Sequence, residues 1–327
     1  MVGRAERAEG ALAGLAVGDA LGAPAQTLPA AEIAARWGRI EGFVAPDAAH
    51  PVAHGLVPGQ VTDDTEQALL LAARLIADAP GFDARAWGRD LLAWEAGVRA
   101  RGLSDLLGPS TRRALEALAA GADPGETGLG GDTNGAAMRV APVGIAVAPE
   151  PLGRLVARVR ETARITHDAG PGLAAACAVA AAVSAGVGGA GWAEAATLGE
   201  AAAREGAAAA GAPGGDVAER IAAARALARE GGAARVAEIG VSVKARESVP
   251  AAFGFVEAAA GDPWAACLHA ANAGDDTDTM AAIAGAMTGA CAGIGALPRA
   301  PLATVVEVNG LDLAAVVAAL LALRGSA

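Results

Sequence analysis

Tyrosine is absent from this chain of 327 residues, and aromatic residues make up only 3% of it. Proteins that bind single-stranded nucleic acids use aromatic side chains as stacking platforms, so this scarcity disfavours that class. Basic residues are also few, because 25 Lys and Arg stand against 36 Asp and Glu and give a net charge of -11. A nucleic-acid-binding surface needs a basic face, and we therefore expect no nucleic-acid partner.

The chain has only three cysteines, which lie far apart in alanine-rich runs and form no C-x-x-C motif. Thiols in such surroundings are typically buried and reduced. The apolar stretch near the start carries Glu6 and Glu9 where a signal peptide has basic residues. We therefore expect a cytoplasmic protein.

Long runs of Leu, Ile and Phe are also missing, although two stretches, 170–193 and 280–298, carry no charge. Their length approaches what a bilayer requires. Because they consist mainly of Ala and Gly, transfer into lipid would gain little free energy. We interpret them as helices buried in a close-packed core and expect no membrane partner.

Alanine and glycine, by contrast, are abundant, with 45 glycines in the chain. Alanine has the highest helix propensity, whereas residues that favour strands are sparse. Helical patterns are predicted at 64–78, 83–101, 110–121, 134–147, 151–166, 172–187, 191–210, 216–230, 233–239, 249–260, 263–271, 277–295 and 311–323. We predict one compact all-α domain of many helices that spans residues 1–327.

Glycines recur every four residues at Gly10, Gly14, Gly18 and Gly22 in an Ala/Leu background. This spacing places them on one face of a further predicted helix, where another helix can approach closely. Asp19 lies among these glycines, and a buried carboxylate needs a polar partner. The partner is either a helix end that it caps or the functional site, which it would support from behind; we favour the second.

Acidic residues cluster at the starts of two predicted helices that are more than two hundred residues apart. The clusters are Thr62-Asp63-Asp64-Thr65-Glu66 and Asp275-Asp276-Thr277-Asp278-Thr279. One carboxylate suffices to cap a helix, and like charges this close repel each other unless a cation or hydrogen bonds offset them. Such oxygen donors select Mg²⁺, Mn²⁺ or Ca²⁺. From the spacing alone, a metal site and simple capping are equally open.

Five motifs occur in an order that resembles the ADP-ribosylglycohydrolase family. They are Gly18-Asp19-Ala20-Leu21-Gly22-Ala23-Pro24, Thr62-Asp63-Asp64-Thr65, Asn134-Gly135-Ala136-Ala137-Met138-Arg139-Val140-Ala141-Pro142, Thr166-His167 and Asp276-Thr277-Asp278-Thr279. The resemblance covers about residues 10 to 300. It implies an all-α fold with a cleft that binds two Mg²⁺ or Mn²⁺ ions.

The resemblance also implies roles for individual residues. The metal ligands would be Thr62, Asp63, Asp64, Asp276, Asp278 and Thr279. Asp64 and Asp278 would in addition take part in catalysis. The substrate-binding residues would be Gln26, Asn134, Gly135, Met138 and His167. Backbone N–H groups of the Asn134–Met138 turn would hold ribose and phosphate.

The implied reaction is hydrolysis of a ribosyl N- or O-glycosidic bond, in an ADP-ribosylated protein or a small ADP-ribosyl compound. The ribose hydroxyls would be held by the metal ions while an activated water attacks the anomeric carbon. Positive charge then develops on an oxocarbenium-like ring.

Three positions depart from the family pattern. Gln26 stands where several members have a glutamate thought to act in catalysis, and glutamine cannot take a proton from water. Asp105 lies one residue out of register with a family aspartate and is a candidate base, while Asp275 replaces a usual glycine. These departures keep two alternatives open: a hydrolase of nucleoside-like ribosyl molecules, and an inactive module that binds ADP-ribose or a nucleotide. A structural, crystallin-like role is a third possibility, which is disfavoured because unused carboxylate clusters would only cost stability.

Overall fold

Alanine-rich segments form seventeen α-helices in a computed structural model, which describes residues 2–102, 107–211 and 216–325. In chain order they are α1 Arg4–Gly22, α2 Ala30–Trp37, α3 Asp63–Asp78, α4 Ala84–Ala100, α5 Pro109–Ala119, α6 Gly135–Met138, α7 Ala141–Ala146, α8 Leu152–Ala163, α9 Gly170–Gly188, α10 Trp192–Ala209, α11 Asp216–Gly231, α12 Ala233–Val236, α13 Ala245–Ala258, α14 Pro263–Ala271, α15 Thr277–Ala292, α16 Arg299–Asn309 and α17 Leu313–Gly325. These ranges contain no strand beyond an isolated bridge between Thr133 and Lys244. The predicted all-α fold, in one compact domain, is confirmed.

Helix α1 runs through the middle of the domain, and every residue from Gly10 to Gly22 is buried. Its glycine face lies directly against α15. A Cβ atom built on Gly14 would lie 2.1 Å from the carbonyl oxygen of Gly285, and one built on Gly18 would lie 2.1 Å from that of Ala281. The predicted close approach is therefore confirmed, and it places the first turn of α15 beside the last turn of α1.

Two helices, α2 and α16, are absent from the sequence prediction. Each begins directly after a proline, Pro29 or Pro298, which occupies the N-cap position. Proline suits a helix start because its missing N–H has no partner there in any case. These prolines therefore mark the beginnings of helices and not merely breaks in the chain.

The continuous helix predicted at 134–147 is wrong, because this segment forms two short helices, α6 and α7. Pro142 lies near the start of α7 and lacks the N–H that an unbroken helix would donate to the carbonyl of Met138. Arg139 lies in the break between the two helices and is only 1% exposed. The interruption thus brings a cation into the protein interior.

Helix α13 begins at Ala245, four residues before its predicted start, and contains Pro250. A proline at this position removes the N–H that would bond to the carbonyl of Arg246. Arg220 donates to that carbonyl instead. The helix therefore tolerates the proline because a side chain from α11 satisfies the freed acceptor.

The charge-free stretches are core helices in this fold. Among the described residues, α9 is long and apolar enough to cross a membrane, but 94% of its apolar window is buried inside the protein. Helices α16 and α17 meet the same test only as a pair bent by 91°. Helix α15, in the second charge-free stretch, is also almost entirely buried. Burial on all sides explains why both stretches lack a polar face.

Candidate active site

The first turns of α3 and α15 meet at one cleft with a volume of about 230 Å³. Five of the six predicted metal ligands line it, namely Asp63, Asp64, Asp276, Asp278 and Thr279. The hydroxyl of Thr279 lies 3.5 Å from Oδ2 of Asp64 and joins the two turns directly. Residues that are far apart in the sequence are thus brought together, as the resemblance implies.

A larger cavity of about 910 Å³ lies on the other side of α3 and is lined by Glu66, Trp94 and Arg101. The charge of Glu66 is already compensated there, because both terminal nitrogens of the Arg101 guanidinium, Nη1 and Nη2, donate to its carboxylate. By volume alone, this cavity would be the better candidate for the active site. The chemistry favours the smaller cleft, because unneutralised carboxylates converge there.

The end of α1 fixes both acidic turns. The Asp19 carboxylate accepts the backbone N–H groups of Thr62 at 2.9 Å and of Thr65 at 3.1 Å, and both threonine hydroxyls at 2.6 Å. At α15, the hydroxyl of Thr277 donates to the carbonyl of Gly22 at 2.9 Å. Helix α1 therefore determines where α3 and α15 begin.

Asp19 thereby caps α3 from another helix. Thr62, the N-cap residue of α3, makes no capping bond with its side chain, and neither does Asp276 at the N-cap of α15. Simple capping therefore does not account for the paired carboxylates of α3. The two interpretations of Asp19 turn out to be one, since by capping α3 it also supports the cleft from behind.

The clustered carboxylates disfavour each other's ionised forms. Burial raises the pKa values of Asp63, Asp64 and Asp278 well above the usual range, and neighbouring carboxylates raise them further. Burial also raises the pKa of Asp276, to about 7. Oδ1 of Asp64 is buried and has no hydrogen-bond partner among the described residues. The site is therefore short of positive charge.

This donor set suits a divalent cation such as Mg²⁺ or Mn²⁺. Carboxylate and hydroxyl oxygens are the ligands that these ions prefer, and the unpartnered Oδ1 of Asp64 is available as one of them. In the part of the chain that the structure describes, no three His, Cys, Asp or Glu side chains are close enough together to hold a metal ion as they stand. The residues thus fit the ion chemically, and binding requires the carboxylates to turn toward it.

Thr62 and His167 are predicted site residues that are not among the described residues lining the cleft. The hydroxyl of Thr62 donates to Asp19, so a metal contact would have to use the same oxygen, and that role stays a prediction. Asp105, the candidate base, lies outside the described residues. Thr111, from the same segment of the chain, does line the cleft.

The Asn134–Met138 turn forms one wall of the cleft. The side-chain amide of Asn134 donates to the Asp276 carboxylate, and to the hydroxyl of Ser248 at 2.8 Å. Its backbone N–H donates to the carbonyl of Val243 at 3.0 Å. Asn134 therefore holds an acidic turn in place, while Gly135 and Met138 line the cleft itself.

His167 lies behind this turn and is fully buried. Its Nδ1 is 2.8 Å from the Thr166 hydroxyl, and its Nε2 is 2.9 Å from the Thr133 hydroxyl. A Cβ atom built on Gly135 would lie 2.9 Å from the ring. The structure therefore places His167 beneath the turn, and a direct substrate contact stays a prediction.

Two residues at the cleft, Thr27 and Asp275, adopt the left-handed backbone conformation, with φ values of 65° and 58°. They are hydrogen-bonded, because the N–H of Thr27 donates to the carbonyl of Asp275 at 2.6 Å. Strain of this kind costs about 1–3 kcal/mol per residue and clusters at functional sites. The departure from glycine thus keeps a glycine-like backbone and adds a carboxylate to the cleft. The sequence pattern gives no signal for Thr27.

Gln26 lines the cleft and is 9% exposed. Its Nε2 is buried and has no hydrogen-bond partner among the described residues. An unpaired buried donor costs about 1–3 kcal/mol. A substrate atom that accepts a hydrogen bond would satisfy it.

Comparison with known proteins places this geometry in context. The chain matches the family model of the ADP-ribosylglycohydrolases over residues 2–327. The chain belongs to the ADP-ribosylglycohydrolase family. It is therefore a hydrolase of the ADP-ribosylglycohydrolase type, which acts on glycosidic bonds. The resemblance read from the five motifs is confirmed.

Individual relatives are similar to this chain over different lengths. The uncharacterized protein YegU of Escherichia coli (strain K12) is 31% identical over 316 residues, which are 94% of this chain and 94% of that protein. The ADP-ribosyl-[dinitrogen reductase] glycohydrolase of Rhodospirillum rubrum is 34% identical over 169 residues, which are 50% of this chain and 52% of that enzyme. A solved ADP-ribosylglycohydrolase-related protein complex is 30% identical, with a TM-score of 0.69 and 99% of each chain covered.

Proposed function

We propose that this glycohydrolase cleaves a ribosyl N- or O-glycosidic bond in an ADP-ribosylated protein or a small ADP-ribosyl compound, and that it does so with two Mg²⁺ or Mn²⁺ ions. The observation that carries the proposal is the meeting of two acidic turns at one cleft, where the paired carboxylates of α3 are not needed for capping. The Rhodospirillum rubrum relative, named for an ADP-ribosylated protein substrate, supports the substrate class.

The ions would be held by the five cleft-lining ligands, Asp63, Asp64, Asp276, Asp278 and Thr279. When bound, they would act as Lewis acids toward the ribose hydroxyls and toward water. Asp64 and Asp278 would accept hydrogen bonds from the attacking water, and one of the two carboxylates would take up the proton that the water loses. Gly135 and Met138 would form the wall against which the ribose lies.

A nucleoside-like ribosyl compound is the second candidate substrate, and the size of the cleft favours it. Its volume of about 230 Å³ is below the roughly 300–1,000 Å³ of most ligand pockets. A ribosyl group would fill it, leaving the rest of a larger substrate outside. Asp275, an exposed carboxylate at the cleft, is placed to contact that outer part.

The third candidate is an inactive module that binds ADP-ribose, and Gln26 favours it because the amide cannot act as a base. Such a module would bind ADP-ribose in the presence of metal but would not hydrolyse any ribosyl compound. Replacing Gln26 with glutamate would then create activity. Measurable turnover by the natural protein would contradict this alternative.

One assay separates the candidates. An ADP-ribosylated protein, ADP-ribosyl-arginine and a set of nucleosides are each incubated with the protein in Mg²⁺, in Mn²⁺ and in EDTA. We expect release of ADP-ribose with either metal, and a loss of about 100-fold or more in EDTA. Turnover of nucleosides alone would select the second candidate. No turnover of any ribosyl compound by protein with metal bound would contradict the proposal.

We also propose that the protein is cytoplasmic. Cys177 and Cys267 are free and buried, and Cys291 is free and partly buried, as expected in a reducing compartment. Burial raises the pKa of Cys267 to about 12, so this thiol is unreactive. Recovery of the protein in the soluble cytoplasmic fraction would support the proposal, and recovery in a secreted or membrane fraction would contradict it.

A further inference from the structure

Arg139 is a buried cation close to the acidic turns. Its side chain is 1% exposed, and burial lowers its pKa to about 10, partly offset by the charge of Asp63. The guanidinium donates to Oε1 of Gln67 at 2.6 Å and to the hydroxyl of Thr166, and it lies 5.7 Å from the centre of the Trp87 ring. All three contacts are neutral groups. Burying a guanidinium among neutral partners is costly, which calls for a nearby source of compensating charge.

One hydrogen-bonded arm runs from Arg139 to the first turn of α3. Gln67 is fully buried, and its Nε2 donates to Oδ2 of Asp63 at 3.4 Å. Because Arg139 has only donors, it must bond to the amide oxygen of Gln67. That bond leaves the amide nitrogen facing the carboxylate. Arg139 therefore sets the orientation in which Gln67 holds Asp63.

A second arm runs from Arg139 to the turn that holds α15. Thr166 accepts a hydrogen bond from Arg139, so its own proton must go to another acceptor. Nδ1 of His167, 2.8 Å away, is closer than the carbonyl of Ala163 at 3.4 Å, and we assign the proton to Nδ1. Burial lowers the pKa of His167 well below its usual range, so the ring is neutral and carries one proton. Because Nδ1 accepts from Thr166 in this assignment, that proton lies on Nε2. Nε2 then donates to the Thr133 hydroxyl at 2.9 Å.

Both arms end at carboxylates of the cleft. Thr133 directly precedes Asn134, whose amide donates to the Asp276 carboxylate. We call the buried residues that connect the two ends the Arg139 relay; they are Gln67, Arg139, Thr166, His167 and Thr133. The relay passes beneath the cleft and links Asp63 of α3 with Asp276 beside α15.

The charges of the buried and partly buried carboxylates balance only when Arg139 is included. Six carboxylates lie at the cleft or directly behind it; Asp275 is exposed to solvent, and the other five are Asp19, Asp63, Asp64, Asp276 and Asp278. Two divalent ions would neutralise four of these charges. The guanidinium of Arg139 supplies the fifth positive charge from below.

We propose that Arg139 is a positioning residue, which orients Asp63 and Asp276 through the relay and supplies the fixed positive charge that complements two divalent ions. The inference rests on the proposed metal-dependent function. It assigns a role to the relay residues, which do not themselves need to touch the substrate.

The test is Mn²⁺ binding by calorimetry in four variants. Arg139→Lys keeps the charge but loses the planar fork that reaches both arms. Gln67→Met breaks only the arm to Asp63, and Thr166→Val only the arm to Asp276. Replacing a residue that hydrogen-bonds to a metal ligand typically lowers metal affinity by about 10–100-fold. We expect losses of Mn²⁺ affinity of this size in all three relay variants. Arg324→Lys is the matched control. The guanidinium of Arg324 is partly buried and donates to the carbonyls of Gly144 and Ser184, but it lies away from the cleft.

The natural protein is measured first. If it binds no Mn²⁺, the proposed function fails, whatever the relay does. If it binds Mn²⁺ and Arg139→Lys and Gln67→Met bind it equally well, while folded by circular dichroism, the relay proposal is overturned. Equal losses in Arg324→Lys would overturn it too, because a general loss of stability would then explain the effect.

A spectroscopic measurement tests the direction of the second arm. Nitrogen-15 NMR of His167 should show a neutral ring with its proton on Nε2. In Thr166→Val the Nδ1 resonance should shift, because it loses its donor, while Arg324→Lys should leave it unchanged. A proton on Nδ1 in the natural protein, or no shift in Thr166→Val, would contradict the relay.

Discussion

Replacing Asp64 with asparagine is expected to reduce metal-dependent hydrolysis by about 10³-fold and, at the same time, to stabilise the metal-free protein. The loss of activity follows because a metal ion supplies several kcal/mol of stabilisation to a transition state, at about 1.4 kcal/mol per factor of ten. The asparagine side chain would offer one neutral oxygen where Asp64 offers a charged pair. The variant is measured by turnover of an ADP-ribosyl substrate at saturating Mg²⁺.

The gain in stability follows from the electrostatics of the metal-free site. Burial, Asp63 and Asp278 raise the pKa of Asp64 in the folded protein. A carboxyl group whose pKa is raised in the folded protein lowers the free energy of unfolding as the pH rises above its pKa in the unfolded chain, which is about 4. The loss is complete once the pH exceeds the pKa in the folded protein. Removing this charge should raise the free energy of unfolding at pH 7.5 by about 1–3 kcal/mol, at about 1.4 kcal/mol per unit of pKa difference.

Metal binding is expected to reverse the order of stability, so that the natural protein becomes more stable than the Asp64→Asn variant. At 100 times its dissociation constant a bound ion adds about 2.7 kcal/mol to the natural protein and little to the Asp64→Asn variant. Glu66→Gln is the matched control, since Glu66 lies in the same turn but pairs with Arg101 outside the cleft. It should lose at most about 1 kcal/mol and keep the full response to metal. An Asp64→Asn variant that responds to metal as strongly as Glu66→Gln would contradict the assignment.

The second large effect is expected at the contact between α1 and α15. In Gly14→Ala the new Cβ would lie 2.1 Å from a backbone oxygen of Gly285, so the helices must move apart. Overpacking of this kind costs about 1–3 kcal/mol, and more where backbone must shift. Because α1 also positions both acidic turns, metal affinity should fall together with stability. Urea unfolding and Mn²⁺ titration measure the two effects.

Gly97→Ala provides the control for helix propensity. Gly97 lies in α4, and a Cβ atom there would meet nothing within 4 Å. Alanine is favoured over glycine in a helix by up to about 1 kcal/mol, so this variant should be slightly more stable. If Gly14→Ala behaved like Gly97→Ala, the close contact between α1 and α15 would not be what fixes the site.

The acidic turns could be predicted from the sequence because each has several carboxylates within a few residues, more than a helix cap needs. Asp63 with Asp64, and Asp276 with Asp278, place more carboxylates at a helix start than capping can use. The glycine spacing likewise predicts the close approach of α1 to another helix. That α15 is this partner follows only from the structure, because the pairing of helices depends on packing across the whole chain.

Other parts of the site leave no local pattern. Asp19 caps α3 from 43 positions away, and Gln67 meets Arg139 from 72 positions away. Thr27 adopts a conformation that its residue type disfavours, because a hydrogen bond to Asp275 fixes it. Such contacts are set by tertiary packing, and propensity or spacing within one segment carries no trace of them.

The same reason explains the errors in the helix boundaries. Pro250 lies in the first turn of the helix predicted at 249–260, but it lies further inside α13, where Arg220 satisfies the carbonyl that the proline leaves free. Pro142 has the opposite effect and divides a predicted helix into α6 and α7. At Pro250 a distant side chain replaces the missing hydrogen bond, which the sequence of one segment cannot show.

We propose that the turns of α3 and α15 together form a site for two divalent ions, and anomalous diffraction from a crystal soaked in Mn²⁺ tests this proposal. We predict two anomalous peaks in the cleft, within about 2–2.6 Å of carboxylate oxygens from both Asp63 or Asp64 and Asp276 or Asp278, the distance range of such hard cations. A fully soaked crystal with no peak between these two turns, and with Asp64 still unligated, would contradict the claim.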